Sequence, residues 1–276
     1  MIETGDLFAG CVSDASLWPA RYLADNQAWV EHIPFAFWLM GAAQPKTLVE
    51  LGTYSGNSFF AFCQGAEQHG LDTALYAVDT WQGDEHVGKY EENIYNSVKK
   101  YQETHYLHHA NLLRSTFDEA RKKFAKNSVD ILHIDGLHTY QAVKHDFDTW
   151  ITTLSKSGII LFHDIAVRHL DFGVWRLWQE LSEKYPAFEF RHCNGLGVLA
   201  VGDQIPTGVQ KLFELSGEET DRIRDLYKRI GQSIVNWNGK YIECKKRLHD
   251  IESSRSWRLA EFVSMINKKL KRRAVI

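Results

Sequence analysis

Short apolar runs alternate with longer amphipathic stretches up to about residue 202. TLVELG (47–52), ALYAVDT (74–80), VDILHID (129–135) and GIILFHD (158–164) have strand length and little polar alternation. That is the pattern of strands buried on both faces. HYLHHAN (105–111) reads as an edge or short strand. Helical periodicity falls on 56–70, which Gly70 ends, and on 89–101, 116–125, 139–154 and 173–185. Thr116 and Glu119 suit a capping box at the start of the third of these. FEFRHC (188–193) and GLGVLAVG (195–202) read as an antiparallel pair. Strand and helix in alternation predict an α/β fold: a Rossmann-like, doubly wound, mostly parallel seven-stranded sheet with helices on both faces. In such sheets ligands bind beyond the carboxyl ends of the strands, where the strand order switches.

The pattern divides the chain into a helical N-terminal segment (1–45), the α/β domain (46–202) and a C-terminal extension (203–276). QIPTGVQKLFELSGEE (204–219) reads as a linker into a long polar helix. In that helix Ile223, Tyr227, Ile230, Ile234, Trp237, Tyr241, Cys244, Leu248 and Ile251 follow 4/3 spacing, a heptad seam over about four repeats. Gly231 and the run Asn236-Trp237-Asn238-Gly239 lower its helix propensity. The seam leaves two readings open, a coiled coil that builds a homo-oligomer and an amphipathic helix lying on its own domain. The last stretch, 256–276, is a basic amphipathic helix that suits a frayed terminus, or peripheral contact with anionic lipid or an acidic partner.

Composition narrows the classes. With 44% hydrophobic and 24% charged residues the chain is ordinary globular material, and a net charge of −3 gives no nucleic-acid footprint. Cys11, Cys63, Cys193 and Cys244 form no C-x-x-C, so neither a disulfide framework nor a zinc site is indicated. Thirteen per cent aromatics, nine of them Trp, are first a core and only second a surface for flat or sugar-like ligands. The opening MIETGDLFAGCVSD has acids where a signal peptide needs a basic region, and Ile33–Met40 is too short to span a bilayer. The expected location is the cytoplasm, with the basic tail able to meet the inner face of the membrane.

The candidate chemistry gathers at strand ends. After Glu50, the turn Gly52-Thr53-Tyr54-Ser55-Gly56 leads into a helix whose free N–H groups can meet a ligand. Asp79 ends the next strand, where a carboxylate can accept both hydroxyls of a ribose or cap the turn before Trp81. Asp135 and His138 follow the fourth strand, and His163-Asp164 ends the fifth. Adjacent strands are about 4.8 Å apart, so two carboxylates there repel unless a cation lies between them. A hard divalent ion such as Mg²⁺ takes such oxygens, and a His three residues past the Asp can remove a proton from a bound hydroxyl. His133, deeper in the strand, reads as a core histidine or one that supports the site from behind.

VELGTYSGNS, YAVDTWQGD, HIDGLHTYQAVKHDFDTW and SGIILFHDIAV resemble the motifs of class I S-adenosylmethionine-dependent methyltransferases. The resemblance covers about residues 30–202 and is strongest to the metal-dependent O-methyltransferase group, which includes sugar O-methyltransferases and cephalosporin hydroxylase-like proteins. It implies that Glu50, Gly52 and Gly56, with Thr53, Tyr54 and Ser55 between, hold the methionine end of S-adenosyl-L-methionine. Asp79, with Thr80 and Trp81, would hold the ribose, Arg114 and Ser115 would border the adenine, and Asp135 would touch the cofactor as well as the metal. It further implies Asp135 and Asp164 as ligands of Mg²⁺ or another divalent cation, with His163 as third ligand or orienter, and His138 as base. His163 stands where catechol-type enzymes have a consecutive Asp-Asn. SSRSWRL (253–259) is similar to tails of bacterial glycan-assembly proteins. Trp81, His86 and Tyr140 are candidate substrate walls. The expected function is O-methylation of a sugar hydroxyl on a bacterial surface glycan or its precursor. A metal-dependent oxygenase or hydrolase on the same scaffold, and a non-catalytic nucleoside-binding assembly protein, are the rival readings.

Overall fold

The structure, a computed structural model, describes residues 10–84 and 88–253. Its strands are β1 (Thr47–Leu51), β2 (Ala74–Asp79), β3 (Gly83–Asp84), β4 (Gly88–Lys89), β5 (Ala110–Arg114), β6 (Val129–Ile134), β7 (Leu154–His163), β8 (Ala187–Phe190) and β9 (Leu196–Ala200). The helices are α1 (Ile33–Ala43), α2 (Asn57–Gln68), α3 (Glu92–His105), α4 (Phe117–Arg121), α5 (Tyr140–Trp150), α6 (Val174–Ser182), α7 (Thr207–Glu214) and α8 (Gly217–Ser253).

Seven strands form one sheet in the order β5-β2-β1-β6-β7-β9-β8, with β3 and β4 a separate antiparallel pair. The first five strands of the sheet run parallel, and β9 is antiparallel to both β7 and β8, as the sequence predicts. The chain winds outward from β1 to β5, then returns to place β6 on the other side of β1. The switch in strand order therefore lies between Leu51 and Ile134, and there the crevice opens. The apolar strand residues face helices on both sides: Val49, Leu51, Leu132, Ile160 and Phe162 are fully buried.

Several elements differ from the sequence reading. The strand expected at 105–111 begins only at Ala110, because α3 runs on to His105. Thr116 caps α4 through its side chain, which accepts from the Glu119 amide, but this helix ends at Arg121. The expected linker contains α7, whose Val209 and Leu212 are buried one helical turn apart. Ile33–Met40 forms the buried part of α1, and among the described residues no helix is long and apolar enough to cross a membrane.

Helix α8 resolves part of the seam. Ile223 and Tyr227 are buried, Ile230 and Ile234 are half-buried, and Trp237 is 62% exposed. The Tyr227 hydroxyl donates to the Cys11 carbonyl at 2.8 Å, and Arg224 donates to the Glu189 carbonyl at 2.7 Å. At Gly231 the helix backbone lies close against the chain: a Cβ there would lie 2.2 Å from the Glu31 carbonyl oxygen. The part of α8 up to Ile234 thus lies on its own domain. The chain divides into two compact units between Ile234 and Val235. The side chains of Tyr241, Cys244, Leu248 and Ile251, the basic stretch 256–276, most of SSRSWRL, and His86 lie outside the described residues.

Candidate active site

The glycine turn is built by close approach of two strand ends. The Gly52 amide donates to Val78 O, and the Asp135 amide donates to Leu51 O at 2.8 Å. Gly52 has φ +88°, and a Cβ on it would stand 2.0 Å from the Asp135 carbonyl oxygen, so only glycine fits. Tyr54 follows at φ +47°. Asp79 ties the turn down: Oδ2 accepts from the Thr53 and Tyr54 amides (3.0 and 2.9 Å) and Oδ1 from the Trp81 amide (2.7 Å). Both readings of Asp79 are thus compatible with its position, since a capped carboxylate keeps lone pairs for hydroxyls. Trp81 is buried, and its indole donates to Tyr54 O at 2.9 Å; it props the turn and walls neither cavity.

Glu50 also lies behind the turn. It is fully buried, and its Oε2 is 2.9 Å from His133 Nδ1. The Trp29 indole can only donate, and it reaches His133 Nε2 at 3.2 Å, so the His133 proton sits on Nδ1 and goes to Glu50. Glu50 lines neither cavity, and His133, for which the sequence leaves a core or a supporting place open, is fully buried against it.

One cavity of about 420 Å³ lies over the β1 and β2 ends, with Gly52, Tyr54, Asp79, Thr80, Asp135 and Gly136 in its wall. The expected Arg114 and Ser115 are not part of it. Arg114 forms a bidentate pair with Glu92 at 2.6 Å and covers Tyr95. The wall passes instead to Thr116, Phe117 and Asp118 immediately downstream, and to His145 and Asp146 of α5.

A second cavity of about 480 Å³ shares Gly52, Tyr54, Tyr90, Asp135 and Gly136 with the first. It contains Thr53, Ser55, His138, His163 and Asp164. His138 Nε2 lies 2.8 Å from Asp164 Oδ2 and 3.6 Å from Asp135 Oδ1. Burial works against the His138 charge, but the two carboxylates outweigh it and lift the imidazole to about 9. Burial likewise opposes charge on Asp164, and His163 with His138 brings it down to about 2; the same histidines hold Asp135 well below the usual range. The His138 ring stacks flat on Phe172, 4.6 Å away at 5°.

His163 occupies a different niche. Its Nδ1 is 3.3 Å from Asp135 Oδ1 and 3.5 Å from Asp164 Oδ2, while Nε2 lies 3.1 Å from the Cys193 carbonyl and must carry a proton there. Ligand atoms of Asp135, His138 and Asp164 come within 4.8 Å of one another. Asp164 Oδ1 is buried without a hydrogen-bond partner, and Asp164 itself sits at φ +62°. An unsatisfied carboxylate oxygen beside a second carboxylate fits a cation. The trio therefore includes His138 where the sequence reading puts His163.

Tyr140 is directed elsewhere: its hydroxyl donates to Glu180 and Arg176 lies over its ring. Residues not singled out in the sequence also line the second cavity: Asn26, Asn57, Ser58 and Asn194, with His169 and Phe172 from the loop 165–172, where the sequence places substrate walls. Most lie in loops whose sequence carries no period, so nothing short of the folded chain brings them to the strand ends. Asn57 and Ser58 begin a helix the sequence does predict, and they are readable as its first turn.

Residues 49–165 match the family described as a methyltransferase domain. The uncharacterized protein y4gI of Sinorhizobium fredii (strain NBRC 101917 / NGR234) is 41% identical over 253 residues, covering 91% of this chain and 27% of that protein. The uncharacterized protein R132 of Acanthamoeba polyphaga mimivirus is 31% identical over 127 residues, covering 43% of this chain and 51% of that protein. The chain thus spans about a quarter of the first relative's length and about half of the second's. A putative caffeoyl-CoA O-methyltransferase from Staphylococcus aureus shares the fold, with a TM-score of 0.50 at 14% identity over 66% of this chain and 86% of that one. Residues 49–165 thus resemble a methyltransferase domain, and the sheet that carries them has the Rossmann-like fold of the Staphylococcus aureus structure.

Proposed function

We propose that the protein is an S-adenosylmethionine-dependent O-methyltransferase acting on a sugar hydroxyl, on a bacterial surface glycan or its precursor. The observation that carries this reading is the meeting of two cavities at Gly52, Tyr54, Asp135 and Gly136, one with a carboxylate for a nucleoside and the other with Asp135, His138 and Asp164.

The chain's residues fit the donor. Thr53 Oγ1 is buried without a partner at the cavity, and Asn57 and Ser58 bring the α2 N-terminus to it, a favourable place for a carboxylate. The donor, when bound, supplies an electrophilic methyl group on a sulfonium. Asp79 is placed to accept from ribose hydroxyls. Asp135 and Asp164 would hold a divalent cation, with His163 orienting the two carboxylates from behind, and such an ion lowers the pKa of a bound hydroxyl. His138 is the base: it faces the cavity, and Phe172 fixes its ring plane. Lifted to about 9 by the carboxylates, it holds its proton at neutral pH, and it becomes a base once their charge is neutralised. Orienting hydroxyl and methyl in one line contributes up to roughly 7–11 kcal/mol to such a reaction.

The test is a methyl-transfer screen of nucleotide sugars, glycan fragments and catechols, with added Mg²⁺ and with chelator. Transfer to a sugar bearing vicinal hydroxyls, lost with chelator, is expected. Transfer to catechols alone would remove the sugar assignment. Failure to bind S-adenosylmethionine in a calorimetric titration would remove the class of reaction.

A further inference from the structure

The donor cavity holds a carboxyl that methyl transfer, as described, does not use. Asp146, on α5, is only 7% exposed and lines that cavity. Among the described residues its carboxyl has no hydrogen bond or ion pair. Its Oδ2 lies 3.6 Å from the point where a Cβ on Gly136 would stand, and the Phe117 ring lies 2.5 Å from the same point. Gly136, Phe117 and Asp146 thus form one contiguous end of the cavity, and the absent side chain at Gly136 leaves ring and carboxyl uncovered.

The surroundings of Asp146 do not supply a counter-charge. The neighbouring His145 is spent on Asp118, at 2.9 Å, on the exposed rim. Burial pushes the Asp146 carboxyl up to about 7, with His145 opposing and Asp118 adding to the rise. A carboxyl that keeps its proton offers one donor and one acceptor side by side, whereas a carboxylate offers acceptors alone. The complementary ligand edge carries an exocyclic amine next to a bare ring nitrogen, on a flat ring that can lie against Phe117. Adenine has that edge.

We propose that Asp146 reads the base of the nucleoside in this cavity, its O–H donating to a ring nitrogen and its C=O accepting from the adjacent exocyclic amine. The proposal rests on the donor reading above and adds a specificity-determining residue to it.

The experiment titrates S-adenosylhomocysteine, and its analogue lacking the 6-amino group, into the wild-type protein, Asp146→Ala and Asp146→Asn, with thermal melts as a folding control. Wild type should prefer the adenine ligand by about tenfold, the size of one well-made hydrogen bond. Asp146→Ala should lose about tenfold for the adenine ligand and no longer tell the two apart. Asp146→Asn, which keeps an adjacent donor and acceptor, should retain affinity within about threefold. A wild type without preference, or an Asp146→Ala that keeps it, overturns the proposal. Should the alanine variant not fold, a folded Asp146→Asn that has lost the preference overturns it equally. A wild type that binds neither ligand overturns the donor reading itself.

Discussion

Nε2 of His138 lies 2.8 Å from Oδ2 of Asp164, although the two residues belong to the ends of different strands. The contact joins the proposed base to a proposed metal ligand inside one cavity. His138→Ala should lower turnover by about 10²–10⁴, the range for a positioned acid or base, with donor affinity unchanged. Asp164→Asn should lower turnover and weaken the dependence on added cation. Single-turnover rates together with calorimetric donor binding check both. Full turnover in His138→Ala would remove the base from the mechanism and leave the methyl-transfer class standing.

The same contact couples metal binding to protons. Without a cation, His138 is raised to about 9 and Asp164 lowered to about 2. A cation that takes up the carboxylate charge expels the His138 proton, so Mg²⁺ affinity should rise by up to about tenfold per pH unit between pH 7 and 9, then level off. Calorimetry in two buffers of different ionisation enthalpy reads the released proton. In the metal-free protein the sign is opposite. A raised imidazole stabilises the fold fully below its ordinary value of 6.5, and that stability is lost as pH rises through about 9. The loss has an upper bound of about 3 kcal/mol, at 1.36 kcal/mol per unit. Metal binding without proton release would show that His138 is not held by these carboxylates.

Periodicity made the sheet legible, because strands buried on both faces cannot be written without unbroken apolar runs, and β1, β2, β6 and β7 have them. The strand-end residues Asp79, Asp135, His138 and Asp164 were legible for the same reason, since an ionisable group at the end of such a run stands out. Glu50 is placed at the donor by resemblance, which carries no depth: the Trp29–His133–Glu50 chain exists only after α1 and the loop before it fold over the sheet. Arg114 stands beside the adenine only by resemblance, and in the structure Glu92 takes it at the surface. Gly231 reads as a weak point of α8, yet a side chain there would collide with the Glu31 carbonyl. Long-range approach of backbones leaves no period in a sequence.

Asp146 should mark the stability of the protein as well as its ligand. A carboxyl raised from 3.8 to about 7 stabilises the fold below its ordinary value, and that stability is lost as pH rises through about 7. Asp146→Asn removes the titration. Its unfolding free energy relative to wild type should therefore grow between pH 5 and pH 8, by up to about 3 kcal/mol. Urea unfolding of both proteins at the two pH values measures the difference. An unchanged difference would mean that Asp146 is solvated as an ordinary carboxylate.

Gly52→Ala tests whether the crevice depends on the approach of β1 to β6. The substitution places a methyl group 2.0 Å from the Asp135 carbonyl oxygen and forces alanine to φ +88°. Backbone strain of this kind costs of order 1–3 kcal/mol, and relief requires the two strand ends to part. Parting them moves Asp135, whose amide is fixed on Leu51 O, and loosens the Thr53 and Tyr54 amides from Asp79. The variant should unfold at lower urea and, where still folded, bind S-adenosylhomocysteine at least about tenfold more weakly. Gly70→Ala is the control. It has φ +67° at the end of α2 with nothing within 4 Å of the added methyl group, so it carries comparable backbone strain away from the crevice. Gly70→Ala should lose some stability and keep its donor affinity. Equal losses of affinity in the two variants would trace the effect to general destabilisation rather than to the strand-end crevice.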